Sequence, residues 1–178
     1  MQSIYTRRSV RQYKDIKIEK EKTETLLRAA MQAPSAGNQQ PWEFIVVEDK
    51  DKLKELSNMS PYTKLIANAP LAIVILGNEE RMRFPENWEQ DLGAATQNLL
   101  LQAVVLELGA VWMSAAPLRE RMEYVTKTFC LKETLKPYCV VAIGYPLDEQ
   151  GNKFVDRFDT TRIHYFNTTE NHKFRIGE

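Results

Sequence analysis

Hydrophobic and polar positions along this chain change period several times, and each change marks a candidate element. Over Lys20 to Ala33, Leu26, Leu27, Ala30 and Met31 recur at helical spacing and Pro34 ends the run, which predicts an amphipathic helix packed on a sheet. Phe44-Ile45-Val46-Val47 is an apolar run of strand length. Leu71 to Leu76 is a second, ended by Gly77-Asn78, and both read as buried strands. Between them, Lys50 to Met59 and Pro61 to Asn68 read as short amphipathic helices that carry most of the local charge. Ala110 to Met113 and Tyr138 to Ile143 predict two further strands, the latter closed by Gly144, with a helix over Leu118 to Phe129 between them.

Asp91 to Leu108 is the longest helical pattern. Leu92, Ala95, Leu99, Val104 and Leu108 lie on one side, and Leu100, Leu101, Ala103 and Leu106 on others, so the helix is apolar nearly all round. Such a helix is either enclosed in a core or buried against a partner chain. Gln97, Asn98, Gln102 and Glu107 exclude a membrane span. From Leu147 the chain is polar and aromatic, a tail that is either frayed or docked.

Length and composition suit one domain, with no linker to divide it. No window holds the roughly 18 uncharged apolar residues of a membrane span. Basic residues near the start have no apolar run behind them, so the expected compartment is the cytoplasm. Cys130 and Cys139 do not make a disulfide framework, and His164 and His172 have no Cys or His at ligand spacing, so no metal is expected. The seven glycines form neither G-x-x-x-x-G-K-[ST] nor G-x-G-x-x-G, which argues against a P-loop or a Rossmann site.

Charge then singles out one segment. Arg7-Arg8-Ser9-Val10-Arg11 packs three arginines into five residues of a chain whose 24 Lys and Arg balance 24 Asp and Glu. If the segment is helical, Arg7 and Arg8 face Arg11 one turn on and repel it, and an anion would relieve them. Arginine forks and the Ser9 hydroxyl suit phosphate oxygens, although a solvated basic stretch fits as well. With zero net charge, a nucleic-acid partner lacks its electrostatic footprint.

A second segment is Pro34-Ser35-Ala36-Gly37-Asn38-Gln39-Gln40-Pro41-Trp42, a connection bounded by prolines. Its amides carry donors and acceptors suited to the edge of a heterocycle. Helix-to-strand turn chemistry explains Pro, Ser, Gly and Asn, but not Gln-Gln-Pro-Trp. Ser114-Ala115-Ala116-Pro117 is a third, a turn of small residues that lets backbone approach a ligand, or a plain turn.

The first two segments resemble the FMN-dependent nitroreductase family, whose members begin Arg-Arg-Ser-x-Arg and continue Pro-Ser-x-x-Asn-x-Gln-Pro-Trp. Asp91 to Leu99 resembles the start of that family's central helix, and Ala142-Ile143-Gly144-Tyr145-Pro146 its last core strand and turn. The resemblance covers nearly the whole chain. It implies an α+β three-layer fold, with a central mixed, mostly antiparallel sheet flanked by helices, in an intertwined homodimer. Residues 1–178 would be one FMN-binding domain, with the tail from about 147 docking on the partner.

The resemblance also implies roles. Arg7 and Ser9 would contact the FMN phosphate with Arg8 on the ribityl side, and Arg11 would sit near flavin N1 and O2, where a cation stabilises the reduced ring. Pro34, Ser35, Ala36 and Asn38 would line the ring from the other subunit, with Gln40 holding the elbow in shape. Backbone N–H groups at Ser114, Ala115 and Ala116 would approach N5, and Gly144 would belong to the cofactor site. Arg157, with Lys153 behind it, would be a second phosphate anchor. Trp88 is a candidate lid, or an ordinary indole, in a lid region over Phe84 to Trp88, and Asn68 is a possible further ligand. No acid, base or nucleophile is nominated. With no Rossmann pocket, NADH or NADPH would stack over the flavin, give up hydride and leave before a small aromatic or quinoid oxidant enters, which is ping-pong kinetics. Alternatives are a flavin-binding protein without turnover, or a relative specialised for reductive dehalogenation or flavin breakdown.

Overall fold

Alternating side chains on strands that are apolar on both faces require cover on both faces, and that requirement organises the molecule. The computed structural model describes residues 2–147 and 151–165. Among them, four strands form one sheet: β1 (Trp42–Val47), β2 (Leu71–Asn78), β3 (Gly109–Ser114) and β4 (Leu135–Gly144), in the order β1-β2-β4-β3 with every neighbour antiparallel. The parallel component is a single bridge, Ser9 to Ala110. The helices are α1 (Ser3–Thr6), α2 (Lys20–Met31), α3 (Lys50–Leu56), α4 (Trp88–Val105) and α5 (Arg119–Phe129).

Leu71, Ile73 and Ile75 of β2 join Cys139, Val141 and Ile143 of β4 in a core with Leu26 and Ala30 of α2 and Leu92, Leu99 and Ala103 of α4. The alternate residues Ala72, Val74, Leu76, Val140 and Ala142 join Leu53 and Leu56 of α3 and Val125 of α5. The result is three layers, as the resemblance implies. In α4 the chain covers Leu92, Ala95, Leu99, Leu100 and Ala103 but leaves Val105 63% exposed and Ala94, Leu101 and Val104 only partly covered. The helix is thus enclosed on one side and open on the other.

Three differences from the sequence reading have physical reasons. The segment after α3 is not a second α-helix: Pro61–Asn68 is a 3-10 helix, and its buried Thr63 and Ile66, followed by Ala69, recur every third residue, the repeat of that helix. Arg7 to Arg11 is not helical either, because α1 stops at Thr6 and the strip runs extended along β3. Finally, β4 begins at Leu135 rather than Tyr138. Its pairing steps from Ile75–Cys139 to Leu76–Pro137, which leaves Tyr138 as an extra, bulged residue.

Gly144, expected to belong to the cofactor site, has a packing role. It is buried at the end of β4, and a Cβ there would stand 2.8 Å from atoms of both Tyr13 and Pro70. Tyr13 cannot yield easily, since its buried hydroxyl donates to the Val10 carbonyl with the Ala142 carbonyl also in reach. Gly144→Ala is therefore expected to cost about 1–3 kcal/mol through overpacking, read as a lowered denaturant midpoint. The thiols give a second check. Burial pushes Cys139 up to about 12, whereas Cys130 is exposed. A disulfide reagent at pH 8 should titrate one thiol in the folded protein and two after unfolding.

Candidate functional site

The arginine strip is held on three sides. Ser9 bridges to Ala110, the Val10 N–H donates to the Ala110 carbonyl at 3.1 Å, and the Val10 side chain fills the space above Gly109. With Val10 turned into the core, Ser9 and Arg11 stay exposed on either side of it. Asn152 pins the strip from the tail. Its Oδ1 accepts the Arg8 backbone N–H at 3.1 Å, and its Nδ2 donates to the Leu108 carbonyl at 2.9 Å.

This arrangement concentrates positive charge. Arg7 lies beside Arg157 and Arg8 around a cavity of about 370 Å³ that Ile4, Phe154 and Phe158 also line. Burial, and then the charges of Arg157 and Arg8, hold the Arg7 guanidinium below its ordinary pKa. Among the described residues, none of Arg7, Arg8, Arg11 and Arg157 forms an ion pair with a carboxylate. Asp156 also lines this cavity but pairs with none of these arginines, so the cations keep an excess of positive charge that an anion would relieve. A second cavity of about 330 Å³, lined by Ser9, Arg11, Gln12 and Pro146, adjoins it along the strip. Lys153 is exposed and lines neither cavity.

The elbow after α2 is built on left-handed backbone. Gly37, Asn38 and Gln40 have φ of 53°, 55° and 47°. Side chains hold these residues in place: the Gln40 N–H donates to Ser35 Oγ at 3.0 Å, and Gln40 Nε2 to Asn38 Oδ1 at 2.9 Å. Gln40 thus does shape the elbow, but the buried anchor is its neighbour. Gln39 Nε2 donates to Asp91 Oδ2 at 2.6 Å, and the Ala36 N–H donates to Asp91 Oδ1 at 2.9 Å. Asp91, in the first turn of α4, is itself buried. The Phe84 ring lies where a Cβ on Gly37 would go. Pro34 and Asn38 are exposed, and Ser35 and Ala36 half-buried.

At the far end of β3, Ser114 is exposed while Ala115 and Ala116 are buried. The N–H groups of Ala115 and Ala116 both donate to the Tyr138 carbonyl at 2.9 Å, so they are not free donors for a ligand. The bulge explains this, because it turns the Tyr138 carbonyl away from the ladder and toward the turn. The Arg121 guanidinium donates to the Ser114 carbonyl at 3.1 Å. Trp88, the candidate lid, is half-buried and packs against a neighbouring ring. Its ring meets Tyr138 edge-on at 5.9 Å, and Tyr138 meets Trp112 at 5.6 Å. Asn68 lines a separate depression with Tyr13, Asp15 and Lys50.

The two main segments stand at opposite ends of α4. Asp91 anchors the elbow at its start, and Leu108, just past its end, anchors Asn152 and through it Arg8. At 1.5 Å per residue the helix between them keeps the segments roughly 20 Å apart within one chain. The turn at Ser114, by contrast, is about 14 Å along β3 from the Ser9–Ala110 bridge. Gln39, Asp91 and Phe84 stand inside stretches that the sequence reading quotes but carry no individual role there; they act as positioning groups together with Asn152 and Arg121, which lie outside those stretches. One signal was available for Asp91: an acidic residue in a helix's first turn commonly receives orphan N–H groups.

The family model described as Nitroreductase family matches residues 4–62 and 59–145. A protein of Archaeoglobus fulgidus, provisionally named NADH dehydrogenase/NAD(P)H nitroreductase, is 43% identical over 92% of this chain and 95% of its own. A solved structure from Clostridium acetobutylicum, provisionally named NADH oxidase, superposes with a TM-score of 0.89 at 57% identity, covering 91% of this chain and 97% of that one. An FMN-dependent nitroreductase from Clostridium difficile superposes at 0.84 with 33% identity, over 93% and 98% of the two chains.

Gly37→Ala tests the elbow. The substitution forces an L side chain into a left-handed conformation and against the Phe84 ring, so a loss of about 2 kcal/mol or more is expected. Denaturant unfolding measures it, and an unchanged midpoint would mean that the elbow does not hold this conformation.

Proposed function

The chain belongs to the nitroreductase family, and from that premise we propose that it is an FMN-dependent oxidoreductase that uses NADH or NADPH to reduce flat acceptors such as nitroaromatics and quinones. The observation that carries this reading is the convergence of Arg7, Arg8 and Arg157 on one cavity, where three cations outnumber the one carboxylate of the lining, Asp156, which pairs with none of them. That donor set fits a phosphate. Ser9 adds a hydroxyl beside it, and Asn152 fixes the backbone that carries Arg8.

FMN, when bound, supplies the two-electron chemistry, taking hydride from the nicotinamide and passing it to the acceptor. Arg11, exposed in the adjoining cavity, holds positive charge where the ring's reduced form is most anionic. Arg157, rather than Lys153, is the second phosphate anchor. The N–H groups of Ala115 and Ala116 hold the turn to Tyr138, which leaves close approach at Ser114 as the contribution of that segment. No side chain is assigned as acid, base or nucleophile.

The separation of the segments supports a homodimer. Pro34, Ser35, Ala36, Asn38 and Gln40 cannot reach the arginine strip of their own chain across the length of α4, so they line the site of a second copy. The open side of α4, with Leu101, Val104 and Val105, supplies apolar surface for that copy. We read residues 1–178 as one such domain whose tail docks on the partner. Residues 166–178 of that tail lie outside the described residues. Among the described residues no helix is long and apolar enough to cross a membrane.

The test is the visible spectrum of the purified protein followed by anaerobic addition of NADH and NADPH separately. Bound flavin bands that bleach with either donor, and parallel lines in double-reciprocal plots against a quinone, are the expected result. Persistent bands would favour a flavin-binding protein without turnover, and no bands after added FMN would refute the site. Arg7→Ala and Arg157→Ala should each weaken FMN binding about tenfold, the order of one charge-assisted contact to phosphate, measured by quenching of flavin fluorescence.

A further inference from the structure

We propose that Gln39 is a positioning residue that holds the Phe84 ring against the elbow and thereby sets which flat acceptors the site admits, an inference that rests on reading the elbow as a wall of the flavin site. Gln39 is 8% exposed, although Asn38 and Gln40 on either side are exposed. Its amide is fully used. Nε2 donates to Asp91 Oδ2 at 2.6 Å and to the Phe84 carbonyl at 3.2 Å, while Oε1 accepts the Phe84 N–H at 2.9 Å. One side chain therefore takes the place of a strand partner for the whole Phe84 backbone unit.

The other end of the clamp is rigid. Asp91, 5% exposed on α4, gives its second oxygen to the Ala36 N–H, so elbow and helix are tied twice. Phe84 follows the elbow wherever the elbow lies. Its ring rests on Gly37 with 38% of the residue exposed, an aromatic surface beside residues that line the flavin. A planar acceptor has to fit beside such a ring; a small inorganic oxidant does not. Without the Gln39 amide, the Phe84 N–H turns to water while its carbonyl keeps only the Asn87 N–H, at 3.1 Å, and the ring loses its tie to the elbow.

The FMN-loaded full chain is assayed as wild type, Gln39→Met, Phe84→Leu and the double variant, with nitrofurazone and with ferricyanide. The ratio of kcat/KM for nitrofurazone to that for ferricyanide is expected to fall about tenfold in each single variant, with no further fall in the double variant. An unchanged ratio in Gln39→Met, or losses that multiply in the double variant, would overturn the proposal, since a merely structural role would depress both acceptors alike. Amide hydrogen exchange on the wild type gives an arm independent of variant folding: the Phe84 N–H should be protected well beyond that of Arg83, and equal rates would overturn the clamp. Absence of flavin bands in the wild type would sink the flavin reading itself. Bleachable bands together with an unchanged ratio would sink only the role of Gln39.

Discussion

Everything in this molecule depends on β2 and β4 being buried on both faces. Seven of the eight residues of β2, Leu71 to Gly77, are covered, and Cys139 to Gly144 of β4 are covered as completely. Each buried aliphatic side chain of that pair contributes roughly 1.5–3 kcal/mol of transfer free energy. That gain requires helices on both sides: α2 and α4 over one face, α3 and α5 over the other. The chemistry-bearing segments are then left to the connections, where backbone is not committed to a ladder.

α4 does more than cover a face. It acts as a spacer between the elbow at its start and the strip at its end, and the chain has no way to bring them together. The same helix leaves Val105 and its neighbours open, so the surface that a second copy would cover lies between the two half-sites. Separation and open apolar face are thus both properties of one 18-residue helix. If the proposed site is divided between two copies, it would be lost on dissociation, which would link cofactor retention to assembly.

The layers were legible in the sequence because they follow from period. α2, α4 and α5 fall within a few residues of the patterns that predict them, and all four strands were found. Two features escaped for local reasons. The start of β4 contains Lys136 and Pro137, which read as loop, and the bulge at Tyr138 is set by pairing with β2 rather than by local propensity. The extended arginine strip was likewise invisible, because its conformation comes from the bridge to Ala110, a contact about a hundred residues away in the chain. Of the site, motif resemblance marked the residues that point outward, such as Arg7 and Asn38. It gave no individual role to Gln39 and Asp91, although both stand inside the matching stretches, and did not reach Asn152; all three act through other residues. Arg157 stands beside Arg7, Trp88 packs against Tyr138, and Gly144 packs against Tyr13 and Pro70.

The strain in the elbow follows from the same division. Asn38 and Gln40 hold positive φ, a conformation that costs an L residue roughly 1–2 kcal/mol each. Left to itself such a turn would relax into one of many ordinary loop conformations. It does not, because Ser35 accepts the Gln40 N–H and Asp91 accepts both the Ala36 N–H and the Gln39 amide. Hydrogen bonds to the Asp91 carboxylate are charge-assisted and stand in a buried setting, where each is worth more than in water. They offset the backbone strain before any ligand arrives. A wall fixed in advance imposes no ordering cost on a ligand that stacks against it, so the strained turn and the buried carboxylate are two halves of one preorganised surface.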